Sequence, residues 1–469
     1  MKKWTAWMIC VCLMLSLAGC AMAEEKQTAL VAVEYKKGDI DAGWDEDDVI
    51  AVTMDGMKAD VSGGSVRLDG NVLTVFGEGD FLLSGEFSGR IVVDAGKNDK
   101  VRLILNGLRL TSAESAAIFV RKADKATITL ADGSENTVVS GNQLISYEDE
   151  ELDAAIYSKA DLVINGSGSL NVLSPNGHGV LSKDDLRLID GQITVDAAGD
   201  GVRGRDAVLM YGGEVNVAAG ADGVKSNNDE DADRGYISID GGSLTVSAGE
   251  DGIQAETCLQ VMGGTVNVTE SYEGMEAQYM LFAGGTVRVA ASEDGINASG
   301  GDVQTSGRKG FAAGHQTMTF AGSEVYVNAQ GDGVDSNGSI RFEGGAVYVS
   351  GPVGSGNGAL DASGEMTVSG GILLAAGSSG MAGVPSADGQ AAAILYLKAS
   401  QPGGAQVSVR NAQDEETASF TPEKDWTSIV VSVPGLSEGD EVRVYVNGAL
   451  IGTAEAGNTS GRRQGGWRR

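Results

Sequence analysis

Cysteine and histidine are scarce in this 469-residue chain, with four of the first and two of the second, and each scarcity removes a class of chemistry. Cys10 and Cys12 fall in an N-terminal apolar stretch and Cys20 stands at its end, so Cys258 is the one thiol in the rest of the chain. A lone thiol closes no internal disulfide and builds no cysteine-based metal site. Its bland role is a small buried residue of a strand. With only His178 and His315, multi-histidine zinc chemistry and most histidine-dependent catalysis are disfavoured too. Aromatics make up 5% of residues, too few for one large globular core. Positive charge is short as well: 34 basic against 65 acidic residues give a net charge of −31. Like charges repel, so a nucleic-acid backbone is a poor partner and cations are good ones.

Beyond residue 20 no segment approaches the roughly 20 apolar residues of a membrane-spanning helix. The N-terminus itself reads differently. Lys2 and Lys3, an apolar stretch from Trp7 to Leu17 and the small residues before Cys20 have the order of an export signal. Leu17-Ala18-Gly19-Cys20 resembles the bacterial lipobox, which implies that Cys20 carries lipid. The expectation is an extracytoplasmic, membrane-anchored lipoprotein with a signal peptide at 1–20 and a linker at 21–45.

What the chain does have is glycine, 70 residues of it, about twice the usual share. The glycines are ordered. Gly-Gly-x-apolar-x-apolar occurs at Gly212-Gly213, Gly241-Gly242, Gly263-Gly264, Gly284-Gly285, Gly344-Gly345 and Gly370-Gly371, most copies 21 to 29 residues apart. In phase with it runs an acidic-Gly-apolar motif at Asp200, Asp222, Asp251, Glu273, Asp294 and Asp332. Asp-Gly reads as a turn. Counting the acidic residue as zero, position two is apolar and position four small, so those face inward while three and five face outward. A unit of some 22 residues cannot bury a core alone, but stacked units can. The expected fold is all-β, a right-handed parallel β-helix (solenoid) over 46–385. A small C-terminal β unit at 386–453 and a basic, disordered tail at 454–469 follow it.

Stacking turns each position into a column, and two columns carry charge. Carboxylates repeated at about 4.8 Å repel by roughly 1 kcal/mol in water and about 3 to 4 at an effective dielectric of 20. One relief is that each Asp caps its own turn through backbone N–H groups. The other is calcium, which takes six to eight oxygen ligands. The acidic insertion at 227–233 stands beside the Asp222 and Asp251 units, so the expected Ca2+ ligands are Asp200, Asp222, Asp229, Asp231 and Asp251. On the outward columns, Lys159, Lys183, Arg203, Arg205 and Lys225 form a basic strip fit for the carboxylates of an acidic polysaccharide. Tyr157 and Tyr211 are candidates to cover single sugar rings.

The strings Ala154-Ala155-Ile156-Tyr157-Ser158-Lys159, Val180-Leu181-Ser182-Lys183-Asp184-Asp185-Leu186, Asp222-Gly223-Val224-Lys225-Ser226 and Asp251-Gly252-Ile253-Gln254-Ala255 resemble a bacterial calcium-containing β-helix carbohydrate-binding domain family of cellulose-degrading clostridia. The resemblance covers most of 80–350, and the insertion between Gly301 and His315 breaks its rhythm. It implies a cell-surface protein that binds pectin-type or cellulosic polysaccharide without cleaving it. Because that family is similar in fold to polysaccharide lyases, a calcium-dependent lyase is the alternative, with Lys225 as base and Arg203 and Arg205 neutralising the uronate. A surface scaffold or adhesin without a glycan ligand is the third reading.

Overall fold

The repeat becomes three ladders. In the computed structural model, which describes residues 30–148, 150–300 and 314–457, each unit contributes one short strand to each ladder, paired in parallel with the strand one unit earlier and one unit later. The first ladder runs through His178–Ser182, Val202–Gly204, Val224–Ser226, Ile253–Ala255, Met275–Ala277, Ile296–Ala298 and Val334–Ser336. A second includes Asp185–Leu188, Ala207–Met210, Tyr236–Ile239, Cys258–Val261 and Tyr279–Phe282. A third includes Gln192–Ala197, Glu214–Ala219, Ser243–Ala248, Thr265–Glu270, Thr286–Ala291, Glu324–Ala329 and Ala346–Ser350. The architecture is all-β and rich in parallel pairing. The one helix among the described residues is the single turn Lys37–Ile40.

Register decides what is buried. Val202, Val224, Ile253, Met275, Ile296 and Val334 are direct ladder partners and none is more than 2% exposed. Phe282, Phe320 and Phe342 stack in the second ladder at 5.0 and 5.2 Å between ring centres. One continuous core extends from Val52 to Val430. Burying each such aliphatic or aromatic side chain contributes about 1.5 to 3 kcal/mol, and the columns spread that gain evenly along the body.

The two glycine motifs have different physical causes. The second glycine of each Gly-Gly pair is a left-handed residue, with φ of 79° at Gly213 and Gly242 and 78° at Gly264, where a side chain is strained. The glycine of the acidic-Gly motif is not. Asp-Gly is no turn here: Gly223 N donates to Asp251 O at 2.9 Å and Val224 N to Gly252 O at 3.1 Å, so the dipeptide belongs to the ladder. What it requires is space. A Cβ on Gly223 would collide with Val246 Cγ1 and the Gly252 carbonyl oxygen, and the same collision recurs at Gly201, Gly252, Gly274 and Gly295.

The segment expected as a linker is a strap. Val31 exchanges two hydrogen bonds with the Gln260 side chain, and the Tyr35 hydroxyl donates to Asp240 at 2.6 Å. Asp39, 2% exposed, pairs with Lys125, Asn165 donates to the Asp39 carbonyl, and Arg102 donates to that of Gly43. Residues 31–43 therefore pass over the outward side of the second ladder from the Gln260 unit back to the Arg102 unit. This explains Val163 and Leu209, which are at most 2% exposed yet lie outside the core columns. Asp39→Ala leaves Lys125 uncompensated, and such broken buried pairs typically cost about 3 to 5 kcal/mol. Chemical denaturation should show this loss. An unchanged midpoint would mean that the strap is loose.

The parallel ladders end at Ile372–Gly377 and Ser386–Ala387. Trp426–Ser432 then pairs antiparallel with Ile372–Gly377 and with Ala393–Gln401, which closes the open edge of the third ladder. Beyond it lies a four-stranded antiparallel sheet of Val407–Arg410, Glu416–Phe420, Glu441–Val446 and Ala449–Glu455. The signal segment with Cys20, the insertion's residues 301–313 and the tail from 458 lie outside the described residues.

Candidate functional site

The acidic column is real, and its relief divides it into two halves. Asp200 and Asp222 are almost fully buried, at 4% and 2% exposure. Each has a cation three residues on: Arg203 lies 3.1 Å from Asp200 Oδ2, and Lys225 pairs with Asp222. His178 Nδ1 sits 3.2 Å from Asp200 and accepts its backbone N–H. The second oxygen of each carboxylate accepts from the next acidic residue in the column rather than from its own turn. Asp222 N donates to Asp200 at 3.3 Å and Asp251 N to Asp222 at 2.9 Å. The expected self-capping is thus replaced by a staple between units.

In later units the position three residues beyond the acidic one offers no cation. In ladder order, Arg203 and Lys225 are followed by Gln254, Glu276, Asn297 and Asp335. The carboxylates there crowd one another instead. Asp251, Glu273 and Glu276 each bring an oxygen within 4.8 Å of the others, and so do Asp332, Asp335 and Asp361. Burial, then the charges of Asp222, Glu276 and Glu273, pushes Asp251 up to about 8. Burial, then Asp332, Asp294 and Asp361, pushes Asp335 up to about 7. Asp332 rises to about 6, mainly through burial, and Glu273 and Asp294 rise for the same leading reason. Between the two groups stands Asn297, 8% exposed. Its amide nitrogen donates to Glu273 at 3.1 Å, and its buried Oδ1 has no hydrogen-bond donor. Carboxylates, a buried amide oxygen and no thiol or imidazole form a hard-oxygen donor set, the kind that suits calcium.

Of the five expected metal ligands, only Asp251 lies in such a group. Asp200 and Asp222 are neutralised where they stand. Asp229 and Asp231 sit in an exposed loop that folds on itself: Asn228 Oδ1 accepts from Glu230 N and Asp231 N, and Asp231 pairs with Arg234 at 3.4 Å. Glu276, Asp335, Asp361 and Asn297 were not among the expected ligands. The signal that names three of them was present in the outward column, three residues beyond each acidic one.

The basic strip is likewise in register and likewise engaged. Besides Arg203 and Lys225, Arg205 pairs with Glu230 and Lys159 lies 3.9 Å from Glu148. Lys183 stands 5.8 Å from the centre of the Tyr157 ring. Tyr157 cannot cover a sugar ring, because it is fully buried beside Phe119, Leu152 and Leu181. Tyr211 is 46% exposed but packs against Tyr35 of the strap at 4.9 Å.

Comparison with known proteins adds three findings. A family model described as carbohydrate-binding domain-containing protein matches residues 69–350. A protein of Acetivibrio thermocellus with the same description is 33% identical over 189 residues, 39% of this chain and 61% of its own length. The chain thus spans about three-fifths of that relative. A solved structure described as the polysaccharide lyase-like protein from C. thermocellum is 25% identical, covering 60% of this chain and 94% of its own, with a TM-score of 0.44.

Proposed function

The chain belongs to the carbohydrate-binding domain-containing family through residues 69–350, and from that premise we propose that it holds an acidic polysaccharide of the uronan type without cleaving it. The observation that carries this reading is the division of the outward face of the first ladder, with cations in its early units and uncompensated, half-buried carboxylates in its later ones. We propose further that the ladders wind as a right-handed parallel β-helix over about 46–385 and that the protein is exported and anchored by lipid on Cys20.

Asp251, Glu273, Glu276 and Asn297, and separately Asp332, Asp335 and Asp361, would hold calcium. Calcium there supplies positive charge and open oxygen positions to a uronate. The chain's own residues do the rest. Arg205, with the most exposed side chain among the strip's ion-paired cations, and Lys183 attract the sugar carboxylates and exchange their present partners for them. Lys225 is occupied as the counter-ion of Asp222, which favours holding over β-elimination because a lyase needs a free base. Affinity falls with salt, since exposed charges are screened beyond about 10 Å at 0.1 M.

Retention on polygalacturonate, read together with absorbance of unsaturated uronates, tests both halves of the proposal. The expected result is retention that chelator or Asp251→Asn with Glu276→Gln weakens by roughly 10-fold, as loss of a 1.4 kcal/mol contribution would, and no absorbance. Absorbance that disappears in Lys225→Ala would instead make the protein a lyase.

A further inference from the structure

Aromatic side chains, sparse in the whole chain, gather at one outward place far from the carboxylates. In the third ladder Arg288, Tyr326 and Tyr348 are successive register partners. The Arg288 guanidinium lies 3.9 Å from the centre of the Tyr326 ring. Tyr326 stacks on Tyr348 at 4.9 Å with 21° between planes, and Tyr348 continues to Phe420 at 5.7 Å and 28°. Phe420 comes from Glu416–Phe420 of the C-terminal antiparallel sheet, beyond the family match at 69–350. The line of rings thus crosses from the parallel body to the C-terminal unit, and a groove of about 390 Å³ opens between them.

The groove has the two kinds of surface that a sugar ring presents. Tyr326, Tyr348 and Phe420 give it an apolar wall, while Gln406, Ser419, Thr421, Glu423 and Arg288 give it a polar rim. Both faces of Tyr326 and of Tyr348 are taken up within the column, so sugar C–H groups meet the ring edges that line the groove and hydroxyls meet its rim. The rim is set rather than free-swinging. Glu423 accepts from Asn328 Nδ2 at 2.6 Å while its backbone N–H donates to Ser350 Oγ at 3.0 Å, and Tyr326 donates to Glu324 at 2.6 Å. Beside it Lys424 donates to the Ala329 carbonyl and fixes the loop to the body. Arg288 is exposed and has no carboxylate within ion-pair distance among the described residues; besides the ring contact it hydrogen-bonds the Tyr326 hydroxyl, which leaves its remaining N–H groups for a ligand. Glu324 and Glu423 make the same place unfavourable for a uronate.

We infer that the Arg288–Tyr326–Tyr348–Phe420 groove is a second sugar subsite, one that takes a neutral sugar ring and needs no cation. A purely structural role for the stack, holding the C-terminal unit against the body, makes a different prediction, because it requires Tyr348 and Phe420 but not the exposed Arg288. The subsite is independent of the uronan reading: one can fail while the other stands.

The test uses the full chain in excess chelator, with neutral β-linked gluco-, xylo- and manno-hexasaccharides as probes and titration calorimetry as readout. At least one probe is expected to bind. Arg288→Ala and Tyr326→Ala are each expected to weaken it by roughly 10-fold, the order of one lost polar or edge contact, with the melting temperature of Arg288→Ala unchanged. Retention of both variants on polygalacturonate in calcium should match that of the parent. Absence of binding by every neutral probe overturns the subsite, as does binding that survives both substitutions. If Tyr326→Ala lowers the melting temperature, the exposed Arg288→Ala alone decides.

Discussion

In excess chelator the unfolding temperature is expected to fall steadily as pH is raised from about 4 to about 8, and calcium is expected to restore it only at the upper end of that range. The window comes from the carboxylates without cationic neighbours. Asp251, with an ordinary value of 3.8, is held at about 8 and Asp335 at about 7. Between the two values the folded chain binds more protons than the unfolded one, so stability declines with rising pH. Below pH 4 both states are protonated and the contribution is fully present. Near pH 8 these groups must ionise against one another, and a divalent cation among them removes the repulsion. A ligand at 100 times its dissociation constant adds about 2.7 kcal/mol, which for a chain of this size is about 3 °C. Melting curves with calcium and with chelator at pH 5 and pH 8 measure the effect. Equal calcium shifts at both pH values would mean that the ion acts somewhere other than at Asp251, Glu273 and Glu276.

Gly223→Ala is expected to destabilise the fold strongly although it adds only one methyl group. The backbone of Gly223 is not left-handed, so alanine adopts it without torsional strain. The added carbon meets the carbonyl oxygen of Gly252 and Val246 Cγ1, and a backbone oxygen hydrogen-bonded in the next unit cannot swing aside. Relief requires two units to separate, which weakens the bonds from Gly223 N to Asp251 O and from Val224 N to Gly252 O and opens the column of Val202, Val224 and Ile253. Overpacking alone typically costs about 1 to 3 kcal/mol, and loss of ladder bonds of about 1 kcal/mol each adds to it. Gly64→Ala, with nothing within 4 Å of the new carbon, is the control. Thermal denaturation of the two variants separates the effects: similar melting temperatures would refute the close-approach account and return Asp-Gly to the role of a turn.

Much of the register could be read from the chain because the side-chain period in a strand is two and the unit length is nearly constant. Fixing Asp200, Asp222 and Asp251 in one column fixed Val202, Val224 and Ile253 in another and Arg203, Lys225 and Gln254 in a third. The chemistry is harder to read because each column by itself has a plausible partner. Arg203 suits a sugar carboxylate and Asp200 a metal, yet three residues along one strand end brings their charges together, so each is first of all the other's counter-ion. The strap had its own signal. Leu162-Val163-Ile164 and Val208-Leu209-Met210 are apolar without alternation, the pattern of strands covered on both faces. Nothing in residues 31–43 has a period that announces what covers them. The C-terminal strands Val407–Arg410 and Glu441–Val446 were legible from alternation, whereas Glu416–Phe420 and Ala449–Glu455 are the outer strands of their sheet and carry more polar or small residues. Phe420 was therefore invisible as a partner of Tyr348.

The strap also sets how the molecule answers to force. A pull on Leu30 does not reach the ladders first. It loads the paired bonds between Val31 and Gln260, then Tyr35 on Asp240, then Asp39 on Lys125, and only afterwards the first strand at Ile50–Gly56. These contacts are spaced along the second ladder and are peeled in sequence rather than sheared together, so each yields at low tension and lengthens the tether by a few residues. The body keeps its stacked core while the leading segment pays out, which gives any N-terminal attachment a built-in extensible leash.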